Sequence, residues 1–129
     1  PDHEIRATGY NSFPRGIRDD VAERQDRPAK YQWFEHAERN AIYNAARHGA
    51  SLNDCVLYCA WLPCTDCARA IIQVGIKRIV TRSFDIPPRW VGDMTVSITM
   101  LEEAGVEIQK CGDNSPTPWN EILPDAQND

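Results

Sequence analysis

Along residues 35–49 the apolar positions Ala37, Ala41 and Ala45, with Ile42 and Ala46, recur at helical spacing, and Gly49 stands where such a helix would close. The period then changes. "CVLYCA", 55–60, is a continuous apolar run and predicts a buried strand. "LPCTDCARAIIQVG" predicts a helix, with Pro63 and Thr65 suited to its first turn, Ala70, Ile71 and Val74 to its inner face, and Gly75 to its end. "IKRIVTR", 76–82, is a second such strand. Trp90, Met94, Ile98 and Leu101 mark a third helix, stopped by Gly105, and "VEIQKC", 106–111, is the last strand.

Upstream, residues 4–10 predict a short strand running into "GYNSFPRG", a Gly/Asn/Pro loop. Residues 15–31 are polar and read as a surface excursion with a helical turn at most. The tail after Gly112 is rich in Pro, Asn and Asp, and nothing in its composition demands a fold. Strands alternating with helices of this length predict βαβ units on a parallel sheet, an α/β class. Residues 1–129 read as one domain, with 113–129 as an irregular tail.

Composition narrows the functional classes. A net charge of −5, from 14 basic and 19 acidic residues, gives no footprint for a long nucleic acid, though a small anionic substrate needs only one or two local arginines. No apolar run approaches the roughly 18 residues of a membrane span, and no secretory signal opens the chain. Five cysteines without the spacing of a disulfide scaffold point to a reducing compartment, so a cytoplasmic location is expected. The sequence opens at Pro1 and not at Met, which suggests processing or a missing beginning.

The chemistry lies at two predicted helix N-termini. His36-Ala37-Glu38 opens the first helix and Pro63-Cys64-Thr65-Asp66-Cys67 opens the second. A Cys-x-x-Cys lets two sulfurs reach one metal across a helical turn, where the positive end of the helix dipole favours thiolate. His36, Cys64 and Cys67 supply three ligands, the number that leaves zinc a fourth position for water. Glu38, two residues from His36, does not share its face. It is placed to carry protons at the open position and not to bind metal.

This combination of His-x-Glu and Pro-Cys-x-x-Cys is the signature of the zinc deaminases. The chain resembles the cytidine and deoxycytidylate deaminase superfamily over roughly residues 5 to 82, and "GYNSFPRGI" with "HAERNAI" resembles its deoxycytidylate branch. The resemblance implies a three-layer α/β/α fold with a mixed, mostly parallel sheet and helices on both faces. It implies zinc (Zn2+) on His36, Cys64 and Cys67, and Glu38 as the catalytic proton shuttle. The Ala37 N–H matches the group that holds the base carbonyl, the Leu62 carbonyl the one that accepts the exocyclic amine, and Asn11 a contact near the sugar. Zinc-bound hydroxide would attack C4 of cytosine while Glu38 protonates N3 and then the leaving amine. The implied substrate is a cytosine nucleotide or nucleoside, deoxycytidylate first. An N-terminal helix and a first, central strand of the family have no counterpart in the sequence from Asp2 onward.

Each reading has a rival. A lone Cys-x-x-Cys serves redox chemistry or structural zinc as readily as catalysis. Arg15 and Arg18 could bind a phosphate or simply be solvated. Asn40 is either a substrate contact or a local hydrogen-bonding residue on its helix. Trp33, Phe34 and Trp61 could stack on a base or pack in the core. Cys55, Cys59 and Cys111 read as buried free thiols, and His3 and His48 as surface or capping residues. The alternative functions are a deaminase of guanine or of adenosine in transfer RNA, and a non-catalytic zinc module. The resemblance further implies a homo-oligomer, at least a dimer, with its interface on the helices at 35–48 and 66–74.

Overall fold

A computed structural model describes residues 3–122. The principal helices are α2 (Ala37–His48), α3 (Thr65–Gln73) and α4 (Val91–Glu103), preceded by a single turn, α1 (Lys30–Trp33). Strands β1 (Val56–Cys59), β2 (Arg78–Thr81) and β3 (Glu107–Lys110) form a parallel sheet in the order β1-β2-β3. Both strand pairings are parallel, and an isolated antiparallel bridge ties Thr117 to Ile108 at the edge of the sheet. The α/β class and the sheet direction are as the alternation of periods required.

Gly49, Gly75 and Gly105 follow the three helices with φ of 72°, 81° and 77°, a left-handed conformation that costs glycine nothing and lets each helix stop sharply. Leu57, Ile79 and Ile108 lie in register across the sheet. They pack against Ile71 of α3 and Ile98 and Leu101 of α4, all at 1% exposure or less. The other face carries Tyr58, 75% exposed, and the Arg78–Glu107 ion pair. None of the described helices is long and apolar enough to cross a membrane.

Three expectations need correction. Residues 4–10 form no strand. They run beside α2, where Asn44 Nδ2 donates to the Thr8 carbonyl at 2.7 Å and Asn40 Nδ2 to the Tyr10 carbonyl at 2.8 Å. The segment after Gly112 is also more than a loose tail: Trp119 and Ile122 are buried in the core, and Trp119 Nε1 donates to the Val106 carbonyl at 2.8 Å. An indole that fills a core gap and satisfies a strand-end carbonyl anchors the chain without any regular element. Residues 123–129 of that tail lie outside the described residues. Among the three free thiols, Cys111 is exposed and not buried, because it falls one residue past the end of β3. On the two helices expected to carry an interface, Ile42 and Ala45 of α2 and Ala68 and Ile71 of α3 are buried within the chain, while Tyr43 of α2 is exposed.

Candidate metal centre and active site

The N-termini of α2 and α3 converge just beyond the C-terminal end of β1, the end at which open parallel sheets bind ligands. His36 and Cys64 occupy the two N-cap positions with extended backbone, and neither makes a side-chain capping bond. Their side chains turn toward one another instead. His36 Nδ1 lies 3.4 Å from Cys64 Sγ and 3.5 Å from Cys67 Sγ. All three donor atoms fall within 4.8 Å of one another. A tetrahedral zinc with ordinary Zn–S and Zn–N bonds separates sulfur from nitrogen by about 3.5 Å. One imidazole and two sulfurs at that spacing fit zinc as a three-ligand site.

Electrostatics point the same way. Cys64 is pulled down to about 4, first by the hydrogen bond from Cys67 and further by His36. Cys67 is pushed up because it gives its proton to that bond, and because it is buried. The His36 imidazole is raised above 6.5 mainly by its hydrogen bond to Cys64, against the opposing effect of burial. Cys64 is thus biased toward thiolate and Cys67 toward thiol. A bound cation would draw off the remaining thiol proton.

Glu38, the expected proton carrier, lies against the cluster. Its Oε2 is 3.5 Å from Cys67 Sγ, beside the donor cluster and outside the three-residue ligand set. Cys59, at the end of β1, is pushed up to about 12 by burial and by the nearby Glu38 carboxylate, so it stays a neutral thiol.

The substrate candidates divide. Asn11 Oδ1 accepts the Ala37 N–H at 2.8 Å and so caps α2 from the loop. Asn40 holds the same loop through the Tyr10 carbonyl and, at 3.2 Å, Ser12 Oγ. Gly9 permits this approach, since a Cβ there would sit 2.4 Å from Ala41 N and 2.5 Å from Ala37 O. Leu62, next to Pro63, is buried at 6% exposure. Arg15 donates to Asn44 Oδ1 and lines a cleft of ≈ 300 Å³ with Tyr10, Ser12, Glu35 and Asn40. None of the metal ligands lines that cleft. Arg18 points into solvent, paired with Asp20 at 3.2 Å. Of the aromatics, Trp33 lies under Arg24 at 4.0 Å and Phe34 against Phe13 at 4.4 Å, both half-buried, whereas Trp61 is 56% exposed beside Arg82.

Three further residues carry no motif signal. Arg39, with a side chain only 18% exposed, bridges Glu35 and, at 3.3 Å, Asp66 of α3, tying the two ligand-bearing helices together. Asp93 and Ser97 reach from α4 to the residues on either side of Cys64. They lie about 30 positions away in an ordinary amphipathic pattern, and only the folded chain shows the contact.

Fold and donor set together describe an α/β protein whose paired helix N-termini bring together three donors that could hold a metal, with a carboxylate beside them. The family model for the cytidine and deoxycytidylate deaminase zinc-binding region matches residues 1–83, and the chain belongs to that family. An uncharacterised deaminase from the luxG 3′ region of Aliivibrio fischeri is 36% identical over 108 residues, 82% of this chain and 71% of its own length. Deoxycytidylate deaminase of Homo sapiens is 37% identical over 87 residues, 64% of this chain and 48% of that one. The dCMP deaminase of cyanophage S-TIM5, in complex with dCMP and dUMP, superposes with a TM-score of 0.66 at 29% identity, covering 85% of this chain and 75% of the other. The chain spans about half the length of the mouse and human deoxycytidylate deaminases it matches.

Proposed function

We propose that this chain hydrolytically deaminates a cytosine nucleotide, converting deoxycytidylate and water to deoxyuridylate and ammonia. The observation that carries the reading is the Glu38 carboxylate set 3.5 Å from Cys67 Sγ, beside a His36–Cys64–Cys67 cluster at zinc spacing. Relatives named deoxycytidylate deaminase, and a structural neighbour in complex with dCMP and dUMP, support the choice of substrate.

His36 Nδ1 and the sulfurs of Cys64 and Cys67 would hold zinc, and the chemistry zinc supplies there is activation of water as a nucleophile at neutral pH. Glu38 accepts the proton that water gives up and delivers it to N3 of the ring, so that positive character develops where attack at C4 needs it. It then carries the second proton to the exocyclic nitrogen, which leaves as ammonia. The base is held by the Ala37 N–H at its carbonyl and the Leu62 carbonyl at its amine. When the base takes the Ala37 N–H, the Asn11 amide is released from its cap and turns to the sugar. Asn40 keeps the loop in place during that exchange. Of the two candidate arginines, Arg15 is the phosphate ligand, because it lines the cleft beside Asn40 while Arg18 is engaged with Asp20 in solvent.

The test is ammonia release from deoxycytidylate, cytidine, deoxycytidine, guanine and adenosine by the zinc-loaded chain, with Glu38→Gln beside it. Deoxycytidylate should turn over fastest. The variant should keep its zinc and lose at least about 10²-fold in kcat, the lower end for positioned acid–base catalysis. Turnover confined to guanine or adenosine would refute the substrate, and loss of zinc in Glu38→Gln would refute the role.

A further inference from the structure

Cys64 sits at the N-cap of α3, where a serine, threonine or aspartate would normally accept one of the first free N–H groups of the helix. A cysteine committed to a metal cannot also cap. The missing function comes from another helix. Asp93, in the first turn of α4, accepts the Thr65 N–H on Oδ2 at 3.1 Å and the Thr65 hydroxyl on Oδ1 at 2.7 Å. One turn later Ser97, at 1% exposure, donates its hydroxyl to the Pro63 carbonyl at 2.7 Å.

Residues four apart on a helix share a face, so Asp93 and Ser97 grip the chain immediately after and immediately before Cys64. The Cys64 carbonyl is itself fixed by the Ala68 N–H at 2.8 Å. What remains adjustable at Cys64 is its side-chain torsion. Ser97 is a polar group in an apolar layer, and its burial is tolerated only because this one bond satisfies it.

We propose that Asp93 and Ser97 are positioning residues for the metal: they hold the Pro63–Thr65 backbone so that Cys64 Sγ stays at ligand distance, and they set the rate at which zinc is lost. The inference rests on the assignment of His36, Cys64 and Cys67 as zinc ligands. Outer partners of metal ligands commonly account for 10- to 100-fold in affinity. They act by removing alternative ligand geometries and not by touching the ion.

The experiment follows zinc transfer from the loaded chain to excess 4-(2-pyridylazo)resorcinol at neutral pH, with melting temperature measured alongside. Asp93→Ala and Ser97→Ala should each release zinc about 10- to 100-fold faster than wild type. Thr65→Val, which keeps the N–H bond to Asp93, should release it faster than wild type and more slowly than Asp93→Ala. The double variant should be no faster than Asp93→Ala, while Thr65→Ser should keep the wild-type rate. Ile98→Val, which loosens the same helix from its apolar side, should lower the melting temperature and leave release unchanged. Wild-type release rates in Asp93→Ala and Ser97→Ala would overturn the clamp while leaving the ligand assignment intact. Equal acceleration by Ile98→Val would overturn it too, by showing that general softening is enough. A wild-type chain that takes up no zinc would instead overturn the ligand assignment, and the clamp with it.

Discussion

Gly9 and Gly92 should respond in opposite directions to the same substitution. At Gly9 an added Cβ meets Ala41 N at 2.4 Å, Ala37 O at 2.5 Å and the Asn40 carbonyl carbon at 2.9 Å, all backbone atoms of α2 that have no rotamer to change. Restoring a van der Waals separation of about 3.5 Å moves the 8–11 segment outward by about 1 Å. Hydrogen bonds of 2.7, 2.8 and 2.8 Å from Asn44 to Thr8, Asn40 to Tyr10 and Ala37 to Asn11 then exceed bonding range. At about 1 kcal/mol net each, their loss costs about 3 kcal/mol, less about 0.5 kcal/mol from the stiffer unfolded chain. Gly9→Ala is therefore expected to lower stability by about 2–3 kcal/mol. Gly92, exposed in α4, has nothing within 4 Å of the same added atom. There Ala should raise stability by about 0.5–1 kcal/mol through helix propensity alone. Urea unfolding of both zinc-loaded variants, read as midpoint and slope, measures the difference. Shifts of the same sign in the two variants would refute the close approach of the 8–11 segment to α2.

Zinc uptake by the metal-free chain should release protons in a pH-dependent number. Cys64, pulled down to about 4, has none to give near neutrality, Cys67 is raised and gives one, and His36, raised above 6.5, gives a second only where it is protonated. Both raised groups must lose a proton to bind, so zinc affinity should fall as pH falls. Titration calorimetry measures the affinity, and binding that does not weaken as pH falls would contradict the assignment. Trp119→Ala should cost about 3–5 kcal/mol, the usual range for a buried indole. A loss under about 1 kcal/mol in urea unfolding would mean that residues beyond Gly112 do not belong to the core.

The sequence was most legible where one physical signal had one structural solution. A 3.6-residue apolar stripe ending at Gly49 or Gly105 has no competing reading, and α2 and α4 fall within two residues of their expected ends. The donor set was legible for the same reason. Two thiols one helical turn apart, plus an imidazole at a second helix N-terminus, converge once the two helices pack side by side. What could not be read was any partner supplied from a distant part of the chain. Nothing local to "SPTPWN" announces that Trp119 fills the core beside Val106. Nothing local to Asp93 announces that it caps another helix.

The expected strand at 4–10 shows the limit most clearly, because the pattern itself was sound. Extended chain needs a partner about every second residue, and the period says nothing of what that partner is. Here it is a helix. Asn40 and Asn44 are four residues apart on α2, a rise of about 6 Å, while Thr8 and Tyr10 are two residues apart in extended chain, a rise of about 6.7 Å. The two repeats match closely enough for successive asparagine amides to meet alternate carbonyls. A helix edge thereby does the work of a neighbouring strand. The arrangement also explains why Asn11 reaches the first N–H of α2: the ladder delivers the loop to the end of the helix where His36 and Glu38 stand. Any change that slips the ladder moves the proposed substrate loop relative to the proton carrier, even though no ladder residue is a metal ligand.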